Sequence, residues 1–261
     1  MLSKSDIDNH LDSIPPIPKT LKDTLFQLNK GDMKKAAEIA ATDRAFVEYL
    51  SAIVNKPIFG FREEIKNVHQ IFGILGLSRS RSIVSSYYMQ IMLPKRWEVF
   101  DFTNREFQDL QANLIIGWGK ILNFLGIKDA EIEQSVVLIP GALIVCEMLF
   151  ADIKDTIAIL RATKQIGYDE ILSKMSGMNL LDIVLQISKK WEFSEKINLF
   201  LREFMQDGKM DKKIIFLRLL VSYEMSKPYA IKSGLNDFFD FPMEFSEDDI
   251  LKFNHIMGEM S

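Results

Sequence analysis

The chain has 261 residues, 48% of them hydrophobic and 26% charged, and its 32 basic side chains against 36 acidic ones leave a net charge of −4. That composition is ordinary for a globular protein able to build a sizeable core, as one large domain or two small ones. The acidic balance speaks against general nucleic-acid binding, which needs a basic face to neutralise phosphates.

A single cysteine, Cys146, cannot form an internal disulfide and sits in an apolar run with no basic neighbour, the pattern of a buried thiol in a reducing compartment. The N-terminus has no basic region leading into an apolar core, and no apolar run is expected to approach the roughly 20 residues of a membrane span, so a soluble, cytoplasmic protein is expected.

Ile14-Pro15-Pro16-Ile17-Pro18 sets an extended entry after a polar lead-in. Leu21, Leu25 and Leu28 then recur at helical spacing up to Asn29-Lys30-Gly31-Asp32. Met33 to Ala41 reads as a second helix, and Asp43 is placed to cap a third with Phe46, Val47, Leu50, Ile53 and Val54 on its inner face. Asn55-Lys56-Pro57 breaks that helix, and Ile58-Phe59-Gly60-Phe61 links it to the next. Pro57 excludes helical geometry at Lys56, while Gly60 and Gly76 allow a positive φ. The apolar turn is expected to pack down and fasten the first bundle to a second. The following helix carries Ile65, Val68, Phe72 and Leu75 on one stripe with His69 beside it. After Ser78 a helix turns Ile83, Val84, Tyr87, Tyr88 and Ile91 inward until Pro94.

The pattern lapses over Lys95 to Asn104. A long helix is then expected from Arg105 to Phe124, and an apolar central helix from Ala130 to Phe150, interrupted by Pro140 and Gly141. Helices over Ile153 to Ile166, Tyr168 to Met175, Leu180 to Trp191, Ser194 to Met205 and Met210 to Met225 follow, and a last one starts near Ser246. With no alternating stretch long enough for a strand, the fold class is all-α. Residues 1–98 are assigned to an N-terminal bundle, 99–206 to a second bundle and 207–261 to a helical extension.

No motif here carries chemistry. The three histidines, His10, His69 and His255, have no second ligand at metal-binding spacing. Gly117 and Gly119 flank Trp118 without the lysine-serine continuation of a phosphate loop, and no nucleophile elbow occurs. Asp152 with Asp155 and Asp248 with Asp249 read as acidic helix starts, and Arg79, Arg81, Lys95 and Arg96 as a solvated face. Phe238, Phe239 and Phe241 either fold back on the core or offer a docking surface.

The proline segment, the Asp43 helix, Asn55 with Phe59-Gly60, and Ile65 through Leu75-Gly76-Leu77 together resemble the HDOD family, the HD-related output domains of bacterial signalling proteins. Trp191-Glu192-Phe193-Ser194-Glu195-Lys196-Ile197 resembles the family's tryptophan segment, so the likeness covers about residues 5 to 205. It departs at Lys56 and Ile71, where small residues are usual.

The resemblance implies an all-α fold in which an N-terminal bundle accompanies a degenerate HD-like bundle. In catalytic HD relatives a His-Asp pair sits on the central helix, where this chain reads Val136-Val137-Leu138-Ile139-Pro140-Gly141-Ala142-Leu143. The preceding helix, around Leu110-Gln111, also lacks its histidine. Without ligands to activate a water, metal-dependent phosphohydrolysis is excluded and no metal, cofactor or catalytic residue is expected. The implied role is a non-enzymatic regulatory protein of bacterial signal transduction acting on protein partners, cyclic-dinucleotide signalling proteins among them. The alternative is a nucleotide sensor with a metal-free HD-type pocket. The candidate interaction surface is Asn55, Phe59 and Phe61 with Phe238, Phe239 and Phe241.

Overall fold

The computed structural model describes residues 17–56, 60–191, 193–205, 211–241 and 245–258, with Ile7, Asn9 and Asp12. It is helical throughout, and among the described residues there is no strand. The chain divides into two compact units, Pro15–Met92 and Met1–Ile14 with Leu93–Ser261. This division falls after Met92 and keeps residues 207–261 in the larger unit, where the sequence reading drew its divisions after residues 98 and 206.

The smaller unit holds α1 (Lys19–Asn29), α2 (Met33–Ala40), α3 (Arg44–Val54) and α4 (Val68–Ile91), and α1, α2 and α3 all pack on α4. The entries are set by side chains that accept from otherwise unpartnered N–H groups. Asp32 accepts from Lys35 N, Asp43 from Phe46 N and Asn67 from Gln70 N. Gly76 breaks α4 with φ 72° and ψ 172°, a conformation a side chain would strain. Ile91 was expected to face inward but is 40% exposed, whereas Ile83, Val84 and Tyr88 are buried.

The larger unit contains α5 (Asn104–Phe124), α6 (Ala130–Ser135), α7 (Leu138–Ala151), α8 (Lys154–Lys164), α9 (Tyr168–Ser176), α10 (Leu180–Lys190) and α11 (Glu195–Met205). α12 (Lys212–Met225), α13 (Pro228–Ser233), a 3₁₀ turn Leu235–Phe238 and α14 (Glu247–Met257) complete it. α5 is central, with α12 and α14 packed on it and α6 and α7 touching it, and α10 lies along α7. Thr103 and Glu106 form a reciprocal capping box at the start of α5.

Two expectations for residues 130–151 change. The break falls at Val136 and Val137, because Pro140 is the third residue of α7, where its missing N–H has no intrahelical acceptor to lose. By length and mean hydropathy, 1.9, Ala130–Ala151 would pass for a membrane span, contrary to the sequence reading. Its most apolar window is 83% buried inside the protein, the situation of core helices.

α5 and α12 approach closely at Gly117. A Cβ there would stand 2.6 Å from Leu220 Cδ1 and 3.3 Å from Met257 Cε, so the glycine lets α12 and α14 seat on α5. Gly117→Val is expected to lower the stability of this unit by about 1–3 kcal/mol, read from the urea midpoint, because overpacking a filled core forces side chains off their rotamers. An unchanged midpoint would show that the crossing has slack.

Candidate functional site

The turn near Asn55 is organised by hydrogen bonds. The Asn55 side chain donates to Ile65 O (2.9 Å) and Ser51 O (2.8 Å) and accepts from Ile65 N (2.8 Å), and Ser51 Oγ donates to Ile65 O (2.6 Å). One amide thus satisfies both backbone groups of Ile65, as a neighbouring strand would. Asn55 pins the loop 60–67 to the end of α3, which is a structural task. Phe59 lies outside the described residues. Phe61, expected to pack down, is 43% exposed, and Gly60 takes φ 69° beside it.

The other half of the expected surface is core. Phe238 is 4% and Phe239 6% exposed, so both rings pack into the fold, and Phe239 keeps only an edge at the surface. Tyr168 stacks on Phe238 with ring centroids 5.7 Å apart, and Phe100 meets Phe238 edge-on at 5.9 Å. Phe241 packs on Phe204 at 5.3 Å and lies 4.9 Å from the buried Arg218 guanidinium. Folding these rings inward removes more apolar area from water than a rim position would.

On α5 and α7, the helices that the resemblance aligns with the HD ligands, the side chains are apolar and buried: Leu110, Leu114, Ile139, Ala142 and Leu143. Gln111 is buried among them. His69 is exposed on α4 and His255 exposed on α14, while His10 lies outside the described residues. Among the described residues no three His, Cys, Asp or Glu converge as metal ligands do. Burial pushes the Cys146 thiol well above its ordinary range, which leaves it unreactive.

Glu147, on α7, is the one charged side chain in this apolar stretch and is 1% exposed. Its Oε1 accepts from Glu98 N (2.5 Å) and Val99 N (3.0 Å), and its Oε2 from Phe100 N (2.9 Å). Three successive backbone N–H groups cradle the carboxylate and compensate its burial. Its signal in the sequence was a lone carboxylate within Ala142 to Phe150, which burial alone would not tolerate.

A groove of about 1000 Å³ opens between α9 and the segment running from α12 to Asp240. α9 supplies Asp169, Glu170, Ser173 and Lys174 from one face; Met225, Ile231 and Phe239 are apolar, and Asp237 and Asp240 complete the acidic lining. Asp237 pairs with Arg161, whose guanidinium lies 3.8 Å from the Tyr168 ring centroid, and Glu170 pairs with Lys174 at 2.5 Å. Asp169 accepts from Leu180 N (2.8 Å), and its carboxyl is held above the usual range, first by burial and then by the nearby Asp182. No spacing in the sequence could bring residues 169 and 240 together; the tail folding over α9 does.

A family model for the HDOD domain matches residues 14–204. An HDOD domain protein of unknown function from Geobacter sulfurreducens is similar in fold, with 13% identity, a TM-score of 0.62 and coverage of 98% of this chain and 87% of that one. A Shewanella amazonensis protein named as a candidate metal-dependent phosphohydrolase is similar at 15% identity and a TM-score of 0.56, with 98% of this chain and 96% of that one covered. No curated protein matches the chain.

Two substitutions test the structural roles assigned above. Asn55→Ala leaves Ile65 N–H without its side-chain acceptor and is expected to lower the stability of the smaller unit by about 1–3 kcal/mol, with faster hydrogen exchange at the Ile65 amide. Glu147→Gln turns an amide NH₂ toward backbone donors and is expected to lower the urea midpoint by the equivalent of about 2–4 kcal/mol. If the Gln variant were as stable as the parent, the three N–H groups would not depend on the carboxylate.

Proposed function

The chain belongs to the HDOD family, and from that premise we propose that it is a non-enzymatic regulatory protein of bacterial signalling that works in the cytoplasm by binding other proteins. The observation that carries this reading is the replacement of the HD ligand positions by buried apolar side chains along Val136 to Leu143. Activating a water at a metal needs several donors converging at once, so a helix that offers none there cannot be restored by adjusting one residue.

Glu147 and Glu224, buried carboxylates of the larger unit, are engaged in the fold. Glu147 holds three backbone N–H groups. Glu224, 1% exposed, accepts from Asn113 (3.1 Å), Lys227 (2.7 Å) and Tyr229 (2.9 Å) and joins α12 and α13 to α5. The Tyr229 hydroxyl is pushed far up by burial and by the neighbouring Glu224 carboxylate, which makes it a hydrogen-bond donor and not a base. Side chains committed in this way support a scaffold that presents surfaces, and the solvent-facing Phe61 and the groove beside α9 are what such a scaffold offers.

The purified protein should show no turnover of phosphomonoesters or cyclic dinucleotides that magnesium or manganese stimulates and a chelator abolishes. Turnover of that kind would overturn the reading. Calorimetry with cyclic dinucleotides and guanosine phosphates should show no saturable heat; micromolar binding would favour a nucleotide sensor instead.

A further inference from the structure

The groove beside α9 combines an apolar floor with acidic walls. Its floor is apolar, with Met225 and Phe239 beneath and Ile231, 59% exposed, on the rim. Its walls carry Asp169, Glu170, Asp237 and Asp240 against a single lysine, Lys174. An isoleucine so exposed at the edge of a groove has no role in closing the core, and an apolar floor is not where carboxylates gain solvation.

We infer that this groove docks a lysine- or arginine-bearing segment of a protein partner, whose apolar side chains meet Ile231 and the floor while its cations meet Asp169 and Asp240. The inference rests on the reading of the protein as a binding module and names where it binds and with what chemistry. Charge complementarity selects the occupant. Lys174 balances Glu170 and Arg161 balances Asp237, so Asp169 and the exposed Asp240 are the carboxylates with no ion pair among the described residues. A purely apolar helix would leave them facing a low dielectric, and an acidic one would be repelled.

Size separates a peptide from a small cation. About 1000 Å³ is at the upper end of what compact small-molecule sites enclose and takes the side chains of several residues at once. The acidic groups are also spread over α9 and the Leu235–Phe238 turn with its following residues, a spacing that suits cations carried along a chain.

The test uses the whole protein and two fluorescent peptides of helical period, one of lysine and leucine, the other of glutamate and leucine, titrated at low and high salt. Asp169→Asn/Asp240→Asn removes the two uncompensated charges, and the Asn at 169 keeps an acceptor for Leu180 N. Asp240→Asn alone changes only an exposed side chain and guards against a folding defect in the pair. Glu38→Gln/Glu203→Gln removes two exposed carboxylates elsewhere. The lysine peptide is expected to bind saturably, about tenfold more weakly to the double groove variant, about threefold more weakly to Asp240→Asn and unchanged to the control.

Equal loss in the control, equal binding of the glutamate peptide, or no binding would overturn the inference. So would spermidine binding with the same dependence on Asp169 and Asp240, which would make the groove a small-cation site. A native partner that bound parent and double variant alike would sink the groove assignment and leave the binding-module reading standing.

Discussion

Each helix leaves backbone N–H groups at its start and C=O groups at its end with no partner inside the helix, and in an all-α protein those ends are numerous and often buried. Here a few polar side chains reach across the structure to satisfy them. Arg81 donates to Leu28 O at 2.8 Å and closes the end of α1, and Arg218 donates to Phe204 O at 2.7 Å and closes the end of α11. Trp118 donates to Ile132 O at 2.9 Å and ties α5 to α6. Asn55 and Glu147 do the same for loops. Because Glu147 fixes residues 98–100, immediately ahead of the capping box at Thr103, the direction in which α5 enters the larger unit is set from α7.

That constraint explains which parts of the fold were legible in the sequence. Local signals carried the helix starts: Asp32, Asp43, Thr103 and Ser246 cap as their chemistry prescribes, and Gly76 takes the positive φ that only glycine adopts without strain. Pairings at long range left no local signal. Gly117 reads as a poor helix former until α12 is seen crossing it, and Phe238 and Phe239 read as core or surface until Tyr168 and Phe100 are seen beside Phe238. Pro140 read as a breaker because its place depends on where the helix starts, and that start was set by a turn at Val136 that composition does not mark.

The candidate site was less legible than the fold for the same reason. A surface made of residues 167 to 174 and 222 to 240 exists only once the tail has folded over α9. The expected surface was drawn from phenylalanines, yet buried apolar area is what holds a core together, and rings near one another in a tail are its natural supply. Asn55 was placed on that surface, and its two hydrogen bonds to Ile65 give it a part in the fold as a loop fastener.

The same carboxylates that line the groove also build it. Asp169 accepts from the first residue of α10, Asp237 holds Arg161 over Tyr168, and Glu170 spans one turn of α9 to Lys174. The exposed Glu170–Lys174 pair contributes little, because water and salt screen it and ordering long side chains opposes it, whereas Asp237 and Arg161 are partly buried. A cation arriving from a partner would compete with bonds already made at Asp237 and Glu170 and would find Asp169 and Asp240 less committed. Charge would then set the orientation and speed of encounter, and the apolar floor at Met225 and Phe239 would set how long the partner stays. A contact divided in that way is rapid to form and readily reversed.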